Sequence, residues 1–198
     1  MSRIAAVILA AGLSSRMGHN KLTAMIGGKP LLRRVAEAAI ASNARPIISV
    51  IANDANDVEC ALQGLDIEIV RNVYSPMGLS TSLIKGINAV PDDCDGAAVL
   101  LGDMPAISGR LIDKLIAAFD PAKGRAICVA THRAKRGNPV LWSRQFFSEI
   151  RRLEGDVGAK SLLGAHAGLV FEVEAGDEAP LIDIDTPEAL AAHQAGIT

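Results

Sequence analysis

Short apolar runs rich in β-branched residues recur along the chain and alternate with stretches whose apolar positions fall three or four residues apart. The runs lie at Ile4–Leu9, Ile47–Ile51, Ile67–Val70, Ala97–Leu101, Ala126–Ala130, Leu169–Val173 and Leu181–Ile184. Their regular return predicts strands, and the alternation predicts an α/β chain with a largely parallel sheet. Pro30 opens a predicted helix carrying Leu31, Leu32, Val35, Ala38 and Ala39, and Ser108 stands as the N-cap of another carrying Leu111, Ile112, Leu115 and Ile116. Pro187 starts a last helix through Ala189, Leu190 and Ala191. No repeat, low-complexity tract or linker-like change in composition interrupts the pattern, so residues 1–198 are expected to form one domain.

Composition narrows the class. A hydrophobic content of 49% with 21% charged residues excludes a disordered chain. Gly, Asp or Arg breaks every apolar stretch well before the ~18 residues a membrane span needs, so no membrane partner is expected. Only Arg3 precedes the apolar segment Ile4–Ala11 and a Gly/Arg loop follows at once, which reads as a first strand of a cytoplasmic protein and not as a signal peptide. Cys60, Cys94 and Cys128 are odd in number and far apart, as expected of reduced, buried thiols. His19, His132, His166 and His193 show no metal-ligand spacing. A net charge of −2 and 3% aromatic residues argue against a nucleic-acid partner.

The densest chemistry follows the first apolar run. In Leu9-Ala10-Ala11-Gly12-Leu13-Ser14-Ser15-Arg16-Met17-Gly18-His19-Asn20-Lys21, the glycines admit close backbone approach to an anion. Ser14 and Ser15 add hydroxyl donors, and Arg16 and Lys21 add positive charge, the equipment of a polyphosphate loop. It is not a Walker A loop, since Gly28-Lys29 runs into Pro30, which lacks the backbone donor needed there. Gly12 and Gly18, separated by an arginine, do not make the G-x-G-x-x-G of a dinucleotide site either. Asp103 and Asp185 each follow an apolar run, at the strand ends where ligands gather in open parallel sheets. A carboxylate at such a place needs a cation, and Mg²⁺, which binds through one or two carboxylates plus substrate phosphates, is the natural choice, with Mn²⁺ as the alternative. Each aspartate also fits the cap of a helix beginning nearby. Gly78-Leu79-Ser80-Thr81-Ser82 has the composition of a serine-rich helix cap, and Arg133, Lys135 and Arg136 lead into Gly137-Asn138-Pro139, a basic loop suited either to solvent or to a phosphate.

Leu9-Ala10-Ala11-Gly12-x-Ser14-x-Arg16-Met17-Gly18-x-x-Lys21 resembles the signature of the MobA-like nucleotidyltransferases. Gly78-Leu79-Ser80-x-Ser82-Leu83, Leu101-Gly102-Asp103-Met104-Pro105, Gly137-Asn138-Pro139-Val140, Gly155-Asp156-x-Gly158-Ala159 and Asp183-Ile184-Asp185-Thr186-Pro187-Glu188 follow in the family's order over nearly the whole chain. The resemblance implies a three-layer α/β/α Rossmann-like nucleotidyltransferase fold with a mostly parallel mixed sheet. It implies that Leu9, Ala10, Ala11, Gly12, Ser14, Ser15, Arg16, Lys21, Gly78, Ser80 and Ser82 bind nucleotide. Arg16, Lys21 and Asp103 would act in catalysis, Asp103 and Asp185 would hold the metal, and Arg136, Gly137, Asn138, Pro139 and Asp156 would bind the acceptor. Ala11, where guanylyl-transferring relatives carry a glycine, is most similar to the MocA-type molybdenum cofactor cytidylyltransferases. The implied partners are CTP and a phosphorylated pterin, with transient contact to a molybdoenzyme or its chaperone. Another phosphorylated acceptor such as a sugar phosphate, GTP as donor, an NAD(P)H-dependent reductase and an accessory nucleotide carrier are the competing readings.

Overall fold

A computed structural model describes residues 2–12, 20–156, 158–186 and 188–191. In chain order the elements are β1 (Ile4–Ala10), β2 (Met25–Ile26), β3 (Lys29–Pro30), α1 (Leu31–Ala41), β4 (Ile47–Ala52), α2 (Asn56–Leu62), β5 (Glu68–Asn72), α3 (Leu79–Ala89), β6 (Gly96–Leu101), α4 (Gly109–Ala118), β7 (Ile127–His132), β8 (Lys135–Ser143), α5 (Phe147–Ile150), α6 (Lys160–Ala165) and β9 (Val170–Glu174). Seven strands form one sheet in the order β5-β4-β1-β6-β8-β7-β9, and β2 and β3 form a small hairpin apart from it. All sheet pairings are parallel except those of β8, which runs antiparallel to both β6 and β7.

Strand periodicity builds a core on each face. Along β1, Ile4, Ala6, Ile8 and Ala10 point to one cluster and Ala5, Val7 and Leu9 to the other. Leu31, Leu32 and Val35 of α1, Val58 of α2 and Leu111, Ile112 and Leu115 of α4 cover the first face. Leu83 and Ile87 of α3, Phe147 and Ile150 of α5 and Leu163 of α6 cover the second. The result is the expected three-layer α/β/α fold with a mostly parallel mixed sheet. No helix among the described residues is long and apolar enough to cross a membrane. Cys94 and Cys128 are buried as expected, but Cys60 is exposed on α2. His132 and His166 each pair with a glutamate, Glu174 and Glu149 respectively, whereas His19 and His193 lie outside the described residues.

Two expectations need correction. Residues 135–139 are not a loop but the first half of β8, entered through a two-residue turn in which Arg133 and Ala134 have φ of 49° and 63°. Val129 pairs with Val140 and Thr131 with Arg136, so Gly137, Asn138 and Pro139 bulge opposite the single residue Ala130. Proline cannot donate to a ladder, and the bulge is where a strand tolerates it. Conversely Leu181–Ile184 is no strand: Ala179–Leu181 forms a 3₁₀ turn, and the chain beyond runs irregularly into Asp185. Ile184 is still buried, at 1% exposure, because it packs against the first core without joining the sheet. Ser108 caps α4 as expected, its side chain accepting from the Leu111 N–H, and Pro30 precedes α1. Pro187 lies outside the described residues, and residues 188–191 are helical.

Gly86 sets how closely α3 approaches the sheet, since a Cβ there would overlap Val7 Cγ1 and come within 3.2 Å of Val50 Cγ2. Gly86→Val should therefore cost about 1–3 kcal/mol, read as a lower urea midpoint at unchanged m-value. An unchanged midpoint would show that α3 does not depend on this contact.

Candidate active site

The strands β1 and β6 lie side by side at the centre of the sheet, and their carboxyl ends carry the first two parts of the site. The Gly102 N–H donates to the Leu9 carbonyl at 2.9 Å, and a Cβ on Gly102 would sit 3.0 Å from that same oxygen. Glycine there lets the turn after β6 lie flat against the end of β1. Asp103 follows, and its carbonyl accepts from the Ile184 N–H at 3.0 Å, which brings Asp185 alongside. Lys21 begins a 3₁₀ turn, Lys21–Thr23, whose N-cap Asn20 accepts from the Leu22 N–H at 3.2 Å. Leu22, 3% exposed, fixes that turn to the first core.

These three segments converge on one point. Lys21 Nζ donates to Asp103 Oδ2 at 2.7 Å and to Asp185 Oδ1 at 2.5 Å. The side chains of Lys21 and Asp103 are only 15% and 19% exposed, while Asp185, at 49%, opens to solvent. Burial opposes the Lys21 ammonium, but its hydrogen bonds to and attraction by both aspartates outweigh that and hold its pKa above the ordinary lysine value. The opposite holds for Asp183, whose pKa is pushed up by burial and by repulsion from Asp185 and Asp103. Asp103 Oδ1 is buried and has no hydrogen-bond partner among the described residues. Neither aspartate is needed as a helix cap, since Ser108 serves α4 and Thr186 Oγ1 accepts from the Ala189 N–H at 3.2 Å. Among the described residues no group of three or more His, Cys, Asp or Glu could hold a metal by itself. A pair of carboxylates completed by substrate phosphates is a different design, one that suits Mg²⁺.

Ala10 and Ala11 are buried at the end of β1 and Gly12 is exposed beyond it, whereas Ser14, Ser15 and Arg16 lie outside the described residues. Gly78, with φ of 115°, packs against the next matching block: a Cβ on it would come within 2.6 Å of the Gly155 carbonyl and 2.9 Å of the Asp156 nitrogen. Asp156 Oδ1 accepts from the Leu79 N–H at 3.1 Å, and the Gly155 carbonyl accepts from the Ser80 N–H at 3.3 Å. Asp156 thus serves the amino end of α3, the favoured place for a carboxylate, and the serines do not cap it. Ser80 and Ser82 lie within α3 at 1% and 4% exposure, and the Ser82 hydroxyl accepts from Asn72 Nδ2 at 3.0 Å.

Beside the cation cluster, a cavity of about 300 Å³ opens on the second face of the sheet. Leu9, Leu79, Leu83, Leu101 and Trp142 give it apolar walls, and Arg136, Gly137 and Asn138 of β8 line its polar side together with Lys160. Neither Pro139 nor Asp156 reaches it. Arg136 Nε pairs with Glu172 at 2.8 Å. Gly137 leaves room for Pro180, whose carbonyl a Cβ would overlap. Lys160 was not singled out from sequence, because a lone lysine at the start of a short helix carries no signal until the fold sets it in the same cavity wall as Arg136.

The fold is shared with solved proteins. Rv0371c from Mycobacterium tuberculosis H37Rv, also solved in complex with manganese, has a TM-score of 0.86 at 24% identity over 98% of both chains. Its homologue from Mycobacterium sp. strain JC1 has 0.83 at 28% identity, covering 98% of this chain and 96% of that one. A CMP-2-keto-3-deoxy-manno-octonic acid synthetase complexed with CTP has 0.76 at 20% identity, over 99% and 98% of the two chains. The fold and the cluster at its strand ends define a nucleotidyltransferase. Residues 6–169 match the MobA-like NTP transferase domain, and the chain belongs to that family. Among sequence relatives, the purine catabolism protein PucB of Bacillus subtilis is 27% identical over 92% of this chain and 91% of its own. A Pyrococcus furiosus protein named "Probable molybdenum cofactor guanylyltransferase" is 34% identical, covering 62% of this chain and 58% of that one.

The native fold binds the Asp183 proton more tightly than the unfolded chain does, so ionisation of Asp183 weakens the fold as pH rises past the ordinary carboxylate range. In EDTA, Asp183→Asn should raise the melting temperature at pH 7, and the gain should vanish below about pH 3, where the wild-type carboxyl is neutral in both states. Equal melting temperatures at pH 7 would contradict the charge crowding.

Proposed function

We propose that the protein transfers CMP from CTP to the terminal phosphate of a molybdopterin-type acceptor, releasing pyrophosphate. The observation that carries this reading is the meeting of Lys21 with two carboxylates that stand 82 and 164 residues away in the chain. Such a cluster at the carboxyl ends of β1 and β6, beside a cavity, suits a reaction that needs charge neutralised and two substrates aligned. With Asp103 Oδ1 buried and without a hydrogen-bond partner among the described residues, the Asp103 charge is incompletely compensated, which suits a divalent ion held by Asp103 and Asp185, with Mg²⁺ or Mn²⁺ as the ion. When bound, that ion supplies charge neutralisation at the reacting phosphate oxygens.

The chain's own residues do the rest. Lys21 grips the triphosphate and stabilises the departing pyrophosphate, and Arg16 is assigned the same task from sequence. Gly12, facing open space among the described residues, lets the triphosphate approach the end of β1. Gly78 and the amino end of α3 face the nucleoside, while the serines there support the helix from within. Arg136 and Asn138 receive the acceptor at the cavity, whose walls shield it from water. The acceptor's terminal phosphate oxygen attacks the α-phosphorus of CTP as the bond to pyrophosphate breaks, so no protein nucleophile is required. Ala11 supports CTP over GTP through its likeness to the MocA type. The name of the Pyrococcus furiosus relative supports GTP as a second reading.

Pyrophosphate release, measured with each nucleoside triphosphate, magnesium and a molybdopterin-type acceptor, should be fastest with CTP. Fastest release with GTP would move the protein to the second reading, and NADPH oxidation without pyrophosphate would overturn both. Lys21→Ala should lower kcat by a factor on the order of 10²–10³ with the circular dichroism spectrum unchanged, the usual effect of losing one electrostatic stabiliser. Asp103→Asn should flatten the magnesium dependence of whatever turnover remains, and a wild-type magnesium titration would remove Asp103 from the metal site.

A further inference from the structure

Lys21 does more in this structure than wait beside a phosphate site. Its ammonium lies 2.7 Å from Asp103 Oδ2 and 2.5 Å from Asp185 Oδ1. A divalent ion ligated by that same pair of oxygens would have to sit between them, at the shorter distances of metal coordination. The ammonium already stands there, and two cations so close, with Lys21 and Asp103 mostly buried, repel strongly. Occupancy by lysine and occupancy by metal therefore exclude each other.

The ammonium is also an incomplete occupant. It bonds one oxygen of each aspartate and leaves Asp103 Oδ1 buried without a hydrogen-bond partner among the described residues. Among the described residues the ammonium thus meets only half of the Asp103 carboxylate. The backbone of Lys21 is pinned by the Asn20 cap and by buried Leu22, so any departure is a swing of the four-carbon stem and not a loop movement. A triphosphate at the end of β1 gives the ammonium a stronger anionic partner than a carboxylate pair.

We infer that Lys21 is the resident cation of the nucleotide-free protein, occupying the divalent-ion position until a triphosphate draws its ammonium away and lets the metal in. Lys21 is thus a positioning residue for substrate order as well as a phosphate ligand. Metal binding is weak before nucleotide and strong with it, which keeps the two aspartates from sequestering divalent ions in the idle protein. The inference rests on the proposed transferase site for the identity of the exchanging ligands.

The test is direct binding of Mn²⁺, followed by electron paramagnetic resonance, to the nucleotide-free protein. Lys21→Met should bind Mn²⁺ about tenfold more tightly than wild type or better, a difference of about 1.4 kcal/mol. Lys21→Arg, which keeps a cation in place, should stay at the wild-type affinity, and Lys21→Met combined with Asp103→Asn should lose the gain. Lys21→Gln is the second neutral variant should the methionine protein fail to fold. Equal Mn²⁺ affinity in wild type and both neutral variants would overturn the inference, as would a gain that survives Asp103→Asn. Pyrophosphate release by the wild-type protein is read separately. Transferase activity without the Mn²⁺ gain leaves the reaction standing and removes the exchange. The gain without transferase activity leaves lysine as the resident cation and removes CTP as the agent that displaces it.

Discussion

The site depends on one ammonium group held between two carboxylates from remote parts of the chain. Such a contact is weak as a local event, because one mostly buried ion pair and one half-exposed one recover little beyond the cost of desolvating them. It exists here because the sheet has already done the entropic work. Parallel pairing of β1 with β6 sets Leu9 opposite Leu101, and the turn after β6 then lies against the end of β1. The Gly102 N–H closes onto the Leu9 carbonyl, and the Ile184 N–H closes onto the Asp103 carbonyl. Once those two backbone bonds form, Asp103 and Asp185 are neighbours whatever their side chains prefer, and Leu22, packed in the first core, holds the Lys21 turn near them. Electrostatics selects the final geometry; the hydrophobic core makes the encounter.

Much of this could be read from the chain before any coordinates. The period-2 apolar runs located six of the seven sheet strands' neighbourhoods correctly, with only β8 missed. The aspartates after apolar runs were legible because a strand that ends in a carboxylate is a local pattern. What escaped was whatever depended on partners far away in sequence. Gly137-Asn138-Pro139 has the composition of a turn, and only the presence of β7 and β6 on either side makes it a bulge inside a strand. Leu181–Ile184 has the composition of a strand, yet its apolar residues bury themselves against the first core without a ladder. The contact that joins Asp156 to the amino end of α3, 77 residues away in the chain, has no local signature. The loop bearing Ser14, Ser15 and Arg16, the strongest signal in the sequence, falls outside the described residues.

The two matching blocks around Gly78 and Gly155 also have a structural part that motif order does not reveal. Both are glycine-rich and both precede helices, so each invites a ligand-binding interpretation. In the fold they are largely one another's support: Gly78 lacks a Cβ because the Gly155–Asp156 backbone occupies that space, and Asp156 satisfies a backbone donor that α3 leaves open. The pair fixes where α3 begins. That in turn fixes Leu79 and Leu83, which form a wall of the cavity.

The halves of the site lean on different cores. Leu22, Met104 and Ile184, flanking Lys21, Asp103 and Asp185, belong to the cluster on the first face, whereas the cavity walls Leu9, Leu83, Val140 and Trp142 belong to the second. The strand alternation of β1 is what divides them, since Ala10 turns to one face and Leu9 to the other. The charge cluster and the cavity therefore meet at the rim of a single sheet while drawing their rigidity from separate packing units. Substitutions in the second core can reshape the pocket without moving the aspartates. On the proposed function, such an arrangement lets a family keep one charge cluster and vary the cavity, because the two are set by opposite faces of the same strands.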